Sequence, residues 1–178
     1  MNSILKRTLK IISNTLTILV VSIAFLLHGF QLFGIKPYSV LSGSMESIYP
    51  IGSLIYVSKT NPDDLKVNDI ITFNMSGGAI GTHRIIELVP DEENSNIIKF
   101  RTKGDENEIA DGTLVERNDI IGKPLFCIPY LGYLATYISV PPGKYVALTV
   151  AAALILIEII ISIALADKDK EKNNQKQN

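Results

Sequence analysis

Tryptophan is absent from the sequence, cysteine occurs once and histidine twice. A lone Cys127 excludes any intrachain disulfide. One cysteine with His28 and His83 also leaves little material for a zinc site. The formal net charge of −1 gives no reason to expect nucleic acid as a partner. No internal repeat is visible. What the chain has in quantity is apolar residues, 47% of 178 against 20% charged. That balance points to oily stretches gathered in a few places rather than to one large soluble core.

Two such stretches stand out. The first, "LKIISNTLTILVVSIAFLLHGFQLFG", carries no charged residue after Lys10. About 20 apolar residues in a helix cross a bilayer core, so residues 11–34 are expected to be a transmembrane helix. Lys6, Arg7 and Lys10 would also suit a signal peptide, but the apolar part is long and no small-x-small cleavage site follows closely. It therefore reads as a retained anchor. The second stretch, residues 145–166, is apolar apart from Glu158. A carboxyl there costs about 2.5–3.5 kcal/mol on insertion scales. It is either a contact with the first helix or a partner, or simply a tolerated group, and the second reading is slightly favoured.

Basic residues lie at the outer ends of both stretches: Lys6, Arg7 and Lys10 before the first, Lys168, Lys170, Lys172 and Lys176 after the second. The positive-inside rule then makes residues 1–10 and 167–178 cytoplasmic. The polar, Lys-rich tail is expected to be disordered. Residues 35–144 would lie outside the membrane. Their apolar runs are short and β-branched: "SLIYVS", "DIITFNM", "AIGTHRIIELV", "IIKFRTK" and "DIIGKP". The polar breaks "NPDD", "SGG", "PDEENSN" and "GDENEIADG" separate them. The fold class is mainly β, a β-rich domain between two membrane helices. "CIPYLGYLATYISVPPGKY" then returns to the membrane, its Tyr130, Tyr133, Tyr137 and Tyr145 suited to the interface.

Within that domain stand Ser42-Gly43-Ser44, the lone His83 on a strand, and Asp105 and Asp111 in one polar loop. Each alone is ordinary: Ser-Gly-Ser makes turns and aspartates populate loops. Together they can do chemistry. A serine hydroxyl attacks poorly unless a base such as neutral imidazole is in reach, and a carboxylate can orient that imidazole. Either aspartate could serve.

"SGSME", "GTHRI" and "KGDENEIAD", in this order after an N-terminal anchor, resemble the boxes of type I signal peptidases. The likeness is to the endoplasmic-reticulum-type branch, which also occurs in Gram-positive bacteria and archaea. The usual bacterial branch has lysine where this chain has His83. The resemblance implies Ser44 as nucleophile, His83 as general base and Asp111 as the carboxylate completing a triad. It implies Asp105 as a second acidic residue supporting the site. Ser42 matches a position whose hydroxyl assists the Ser44 backbone N–H in an oxyanion hole. The residues around Met45 resemble a strip that approaches the membrane surface. The family box commonly reads Ser-Met-Glu-Pro, and Ser47 stands here in place of the proline, which loosens the turn. Arg84 follows His83 as in the family, as a structural ion pair or strand charge at least as readily as a catalytic group.

The implied activity is removal of signal peptides from secreted preproteins, after small residues at −1 and −3, with the substrate adding as an extended strand. No cofactor or metal is expected. The implied partners are preproteins and the lipid bilayer, with association with the secretion translocon left open. The implied location is the plasma membrane, multi-pass, with the catalytic domain extracytoplasmic. The rival from another class is a non-enzymatic membrane-anchored peptide-binding module. A self-cleaving repressor with a similar β domain fits less well, since such repressors use a lysine base and are soluble.

Overall fold

The structure, a computed structural model, describes residues 3–91 and 97–174. The chain divides into a helical unit, residues 1–27 and 137–178, and a β unit, residues 28–136.

In the helical unit, helix α1 (Ser3–His28) and helix α3 (Gly143–Asn174) carry the apolar stretches. Each contains a segment long and apolar enough to cross a membrane. At about 1.5 Å per residue, 26 residues exceed a hydrocarbon core of roughly 30 Å. Thr17 Oγ1 donates to Glu158 Oε1 at 2.8 Å. Glu158 therefore touches the first helix, which corrects its reading as a merely tolerated carboxyl. A hydroxyl donor offsets part of what a carboxyl oxygen loses on leaving water. Helix α3 continues to Asn174, into the tail expected to be disordered. Lys and Glu are good helix formers, and no Gly or Pro stops the helix after Ala166. Residues 175–178 lie outside the described residues.

The β unit opens with a 3-10 turn, Gly29–Phe33, closed by Gly34 at φ 75°. That left-handed conformation suits glycine because it has no Cβ to clash. Six strands follow: β1 (Ile35–Ser39), β2 (Leu54–Ser58), β3 (Ile70–Asn74), β4 (Ile80–Pro90), β5 (Ile98–Lys103) and β6 (Ile120–Ile128). They form one antiparallel sheet of order β1-β2-β6-β3-β4-β5. Strands β2 to β6 fall on the five β-branched runs. The break "PDEENSN" falls largely on 92–96, outside the described residues.

Two elements were not anticipated. Strand β1 contains Lys36 and Pro37, which break the apolar pattern. It lies at the sheet edge with β2 as its sole neighbour, where a proline is tolerated. The segment expected to return straight to the membrane instead finishes β6 and forms helix α2 (Leu131–Ser139). Gly132 allows that helix to dock, because a Cβ there would collide with the Ser53 carbonyl oxygen. Tyr130 and Tyr133 are exposed around its start.

Side chains two apart on a strand share a face. Ile71 and Phe73 on β3, Ile85 on β4 and Phe100 on β5 meet on one such face, with Leu65 and Val115 from the loops, as the core. His83 stands opposite Ile71, and Thr102 opposite Ile85. Two polar side chains are thus held on the face that builds the apolar core. That placement prepares the site.

Candidate active site

Ser44 lies in the connection between β1 and β2. The chain turns tightly there: the N–H of Glu46 donates to Gly43 O at 3.1 Å, and those of Ile48 and Tyr49 to Met45 O at 3.0 and 2.7 Å. These bonds close the turn with Ser47 in the place of a proline. Met45 is 3% exposed, and its Sδ accepts the Asp105 N–H at 3.2 Å. This corrects the surface-strip reading at Met45 itself, while its neighbours Leu41 and Ile48 are exposed.

His83 is buried on β4, with its imidazole and the Phe73 ring steeply inclined to one another at a centroid distance of 6.0 Å. Its Nε2 lies 3.1 Å from Ser44 Oγ and its Nδ1 2.6 Å from Asp111 Oδ2. A carboxylate can only accept, so Nδ1 carries the proton and Nε2 is left as the acceptor facing the serine hydroxyl. Ser42 is exposed, its Oγ 3.5 Å from Ser44 Oγ. Ser42, Ser44, His83 and Asp111 all border one cleft of about 810 Å3. Tyr38–Leu41 line one part of it, and Gly78–Thr82, at the start of β4, line another.

The two aspartates do different things. Asp105 takes Arg84 rather than the imidazole, in a fork: Nε donates to Oδ1 at 2.9 Å and an Nη to Oδ2 at 2.7 Å. The other Nη of Arg84 donates to Asn68 O at 2.8 Å. Arg84 is thus a structural ion-pair residue, tying the loop after β5 to the start of β3. The Arg84 hydrogen bonds lower the Asp105 pKa against the opposing effect of burial, helped by the charges of Arg84, His83 and Lys103. The same bonds raise the Arg84 pKa.

This fixes how the pair responds to pH. A carboxyl whose pKa is lower folded than unfolded stabilises fully above its unfolded value, about 3.9, and loses that contribution as pH falls through the folded value. Both side chains are about a quarter exposed, so the contribution is on the order of 1 kcal/mol. Thermal melts of wild type and Asp105→Asn should differ at pH 7 and converge towards pH 2. A constant gap across that range would mean that the charge pair contributes nothing.

Three features of the site were not among the residues singled out in the sequence. Gly104 lies against Ser44: a Cβ there would sit 2.7 Å from Ser44 O and 2.8 Å from Ser44 Cβ. The Glu106 N–H donates to Ser44 O at 3.0 Å. Thr102, fully buried, donates from Oγ1 to Asp111 Oδ2 at 2.6 Å. Gly104 is visible in the box "KGD", and Thr102 as a polar residue two after Phe100 in an alternating strand. The Glu106 contact is a main-chain one and leaves no mark on residue type.

No family model matches the chain. Individual relatives do. It is 33% identical over 125 residues to the signal peptidase complex catalytic subunit SEC11C of Homo sapiens, covering 65% of this chain and 64% of that one. It is 30% identical over 122 residues to the putative signal peptidase complex catalytic subunit SEC11B of Homo sapiens, covering 64% and 72%. It is 33% identical over 124 residues to signal peptidase I W of Bacillus subtilis (strain 168), covering 63% and 64%. The matched region thus spans 64% of the length of the SEC11C relatives, just under two thirds.

Proposed function

This chain belongs to the signal peptidase I/SEC11 family, and on that premise we propose that it is a membrane-bound serine endopeptidase removing N-terminal signal peptides from secreted preproteins. The observation that carries the reading is the unbroken relay from Ser44 Oγ through the His83 ring to Asp111, at 3.1 and 2.6 Å. His83 Nε2 takes the hydroxyl proton as Ser44 Oγ attacks the scissile carbonyl. Asp111 holds the Nδ1–H and stabilises the imidazolium that forms. The Ser44 N–H and the Ser42 hydroxyl receive the oxyanion, where loss of one donor typically costs about 2.7–4 kcal/mol. The imidazolium returns its proton to the leaving amine, and a water activated by the same ring releases the acyl group from Ser44.

The remaining features agree with a substrate that is itself an apolar helix in a bilayer. The nucleophile follows the first apolar helix closely in sequence, and basic residues bias both helix ends towards the cytoplasm. On this reading the protein is a multi-pass plasma-membrane protein whose β unit works at the outer face. There confinement to the membrane raises the effective substrate concentration. The cleft beside Ser44 would take the residues before the cut, small at −1 and −3, in an extended strand. The preprotein and the lipid bilayer are its partners, and the translocon that delivers preproteins is a natural neighbour.

The test uses membranes carrying wild-type protein or Ser44→Ala, each incubated with a signal-bearing preprotein, with the mature N-terminus read by sequencing. Wild type should cut after a small residue and the alanine variant should not. Equal cleavage by both would remove Ser44 from its role. Signal-peptide binding without cleavage by either protein would favour the peptide-binding module.

A further inference from the structure

We propose that Thr102 is a positioning residue for catalysis, setting the orientation of the Asp111 carboxylate and, through it, the His83 imidazole. The proposal rests on the reading of Ser44, His83 and Asp111 as a triad. Asp111 belongs to the long loop between β5 and the 3-10 turn Arg117–Asp119, so regular structure does not fix its side chain. Thr102 holds it twice. The Asp111 N–H donates to Thr102 O at 2.9 Å, and the Thr102 hydroxyl donates to Asp111 Oδ2 at 2.6 Å. That oxygen is the one facing His83 Nδ1, also at 2.6 Å. One carboxylate oxygen therefore lies between two donors, one from a rigid strand and one from the base.

The position of Thr102 makes this hold stiff. It is fully buried on β5, paired with Ile85 and on the same strand face as Phe100. A β-branched side chain has few χ1 choices, and packing against the core limits them further. With its hydroxyl given to Oδ2, the carboxylate cannot rotate about its terminal torsion without leaving a buried donor unpaired. The imidazole then keeps Nδ1–H towards Asp111 and Nε2 free to accept from Ser44. Without the hydroxyl, Asp111 keeps its backbone bond to Thr102, but its side chain is held only by the imidazole it is meant to orient. The tautomer and ring angle of His83 are then selected less sharply, so fewer bound substrates meet a competent base. The loss falls on kcat rather than on KM.

Thr102→Val keeps the branched shape and the main-chain bond but removes the donor. Thr102→Ser keeps the donor and loses a methyl group. With full-length protein in membranes and a signal-bearing preprotein, Thr102→Val should lower kcat roughly 10- to 100-fold, the scale on which misplaced groups act, with KM little changed. Thr102→Ser should recover most of kcat even where its melting temperature lies below that of wild type. If kcat instead follows melting temperature through the series, the role is structural and the proposal is wrong.

A second readout needs no substrate. The sequence has only two histidines, so 15N-histidine NMR of His28→Gln protein reports His83 alone. Wild type should show a single Nδ1–H tautomer and Thr102→Val a mixture; the same single tautomer in both would overturn the proposal. Ser44→Ala in the same cleavage assay separates the two levels. If it is inactive while Thr102→Val keeps wild-type kcat, Thr102 alone is wrongly assigned. If Ser44→Ala still cleaves, the triad reading falls and takes this proposal with it.

Discussion

His83→Ala is expected to reduce kcat for preprotein cleavage by about 10^6-fold, and Asp111→Asn by about 10^4-fold, the scales seen when a Ser-His-Asp unit loses its base or its orienting acid. At 1.36 kcal/mol per decade these are roughly 8 and 5 kcal/mol of transition-state stabilisation. The order follows from the geometry. Without the imidazole, Ser44 Oγ keeps the Ser42 hydroxyl as a neighbour at 3.5 Å, which is far too weak a base to take its proton. With an amide at 111, the group facing Nδ1 at 2.6 Å can present N–H instead of oxygen. The ring then turns its proton to Nε2, and the atom 3.1 Å from Ser44 Oγ stops accepting. Asp105→Asn should cost far less, because that carboxyl faces Arg84 and acts on the site through the loop. The double variant His83→Ala/Asp111→Asn should be no slower than His83→Ala alone, since residues acting as one unit do not add. Single-turnover rates with one preprotein measure all four. Equal losses at Asp105 and Asp111 would mean that the two carboxyls share a task, contrary to their separate partners.

The ordering of those two aspartates shows where sequence reading stops. Both sit in "KGDENEIAD", and residue type does not tell them apart. What separates them is long-range pairing: the loop returns Asp111 to Thr102, which bonds its N–H and its carboxylate, and to His83. Asp105, just past the strand end, meets Arg84 instead. Strands β2 to β6 were readable because their β-branched runs sit between polar breaks. Strand β1 was not, since Lys36 and Pro37 interrupt it and only edge pairing with β2 makes it a strand. Met45 shows the opposite failure. The resemblance places the residues around it in a strip approaching the membrane surface, yet Met45 itself is buried, and its sulfur accepts the N–H of Asp105, 60 residues away. Glu158 has the same lesson in the helical unit: hydropathy registers its cost, whereas its partner Thr17 lies 141 positions earlier. Local patterning shows in the sequence, and long-range pairing does not.

Gly104→Ala carries the second large expected effect, a fall of about 10^2-fold in kcat at nearly unchanged KM. The loop after β5 has two jobs. Its far end brings Asp111 to His83, and its near end holds Ser44 and Met45 through Glu106 N–H to Ser44 O at 3.0 Å and Asp105 N–H to Met45 Sδ at 3.2 Å. How closely this loop packs on Ser44 is therefore expected to set the distance from Ser44 to His83. At Gly104 no room is left. A Cβ would stand 2.7 Å from the Ser44 carbonyl oxygen and 2.8 Å from its Cβ, and 2.9 Å from Asn107 Nδ2. The amide of Asn107 can swing aside; the Ser44 main chain cannot move without taking Oγ with it. Overpacking of this kind costs typically 1–3 kcal/mol of stability, which the β unit should survive with a lower melting temperature. Catalysis is less forgiving, since a misplacement of about 1 Å can cost 10^2-fold. Gly112→Ala, in the same loop but with open space around it, is the matched control and should cleave like wild type. If Gly104→Ala melts lower yet keeps the kcat of Gly112→Ala, the loop does not set the distance from Ser44 to His83. A kcat that falls while the His83 tautomer signal stays as in wild type would place the damage at Ser44 and leave the His83–Asp111 pair intact.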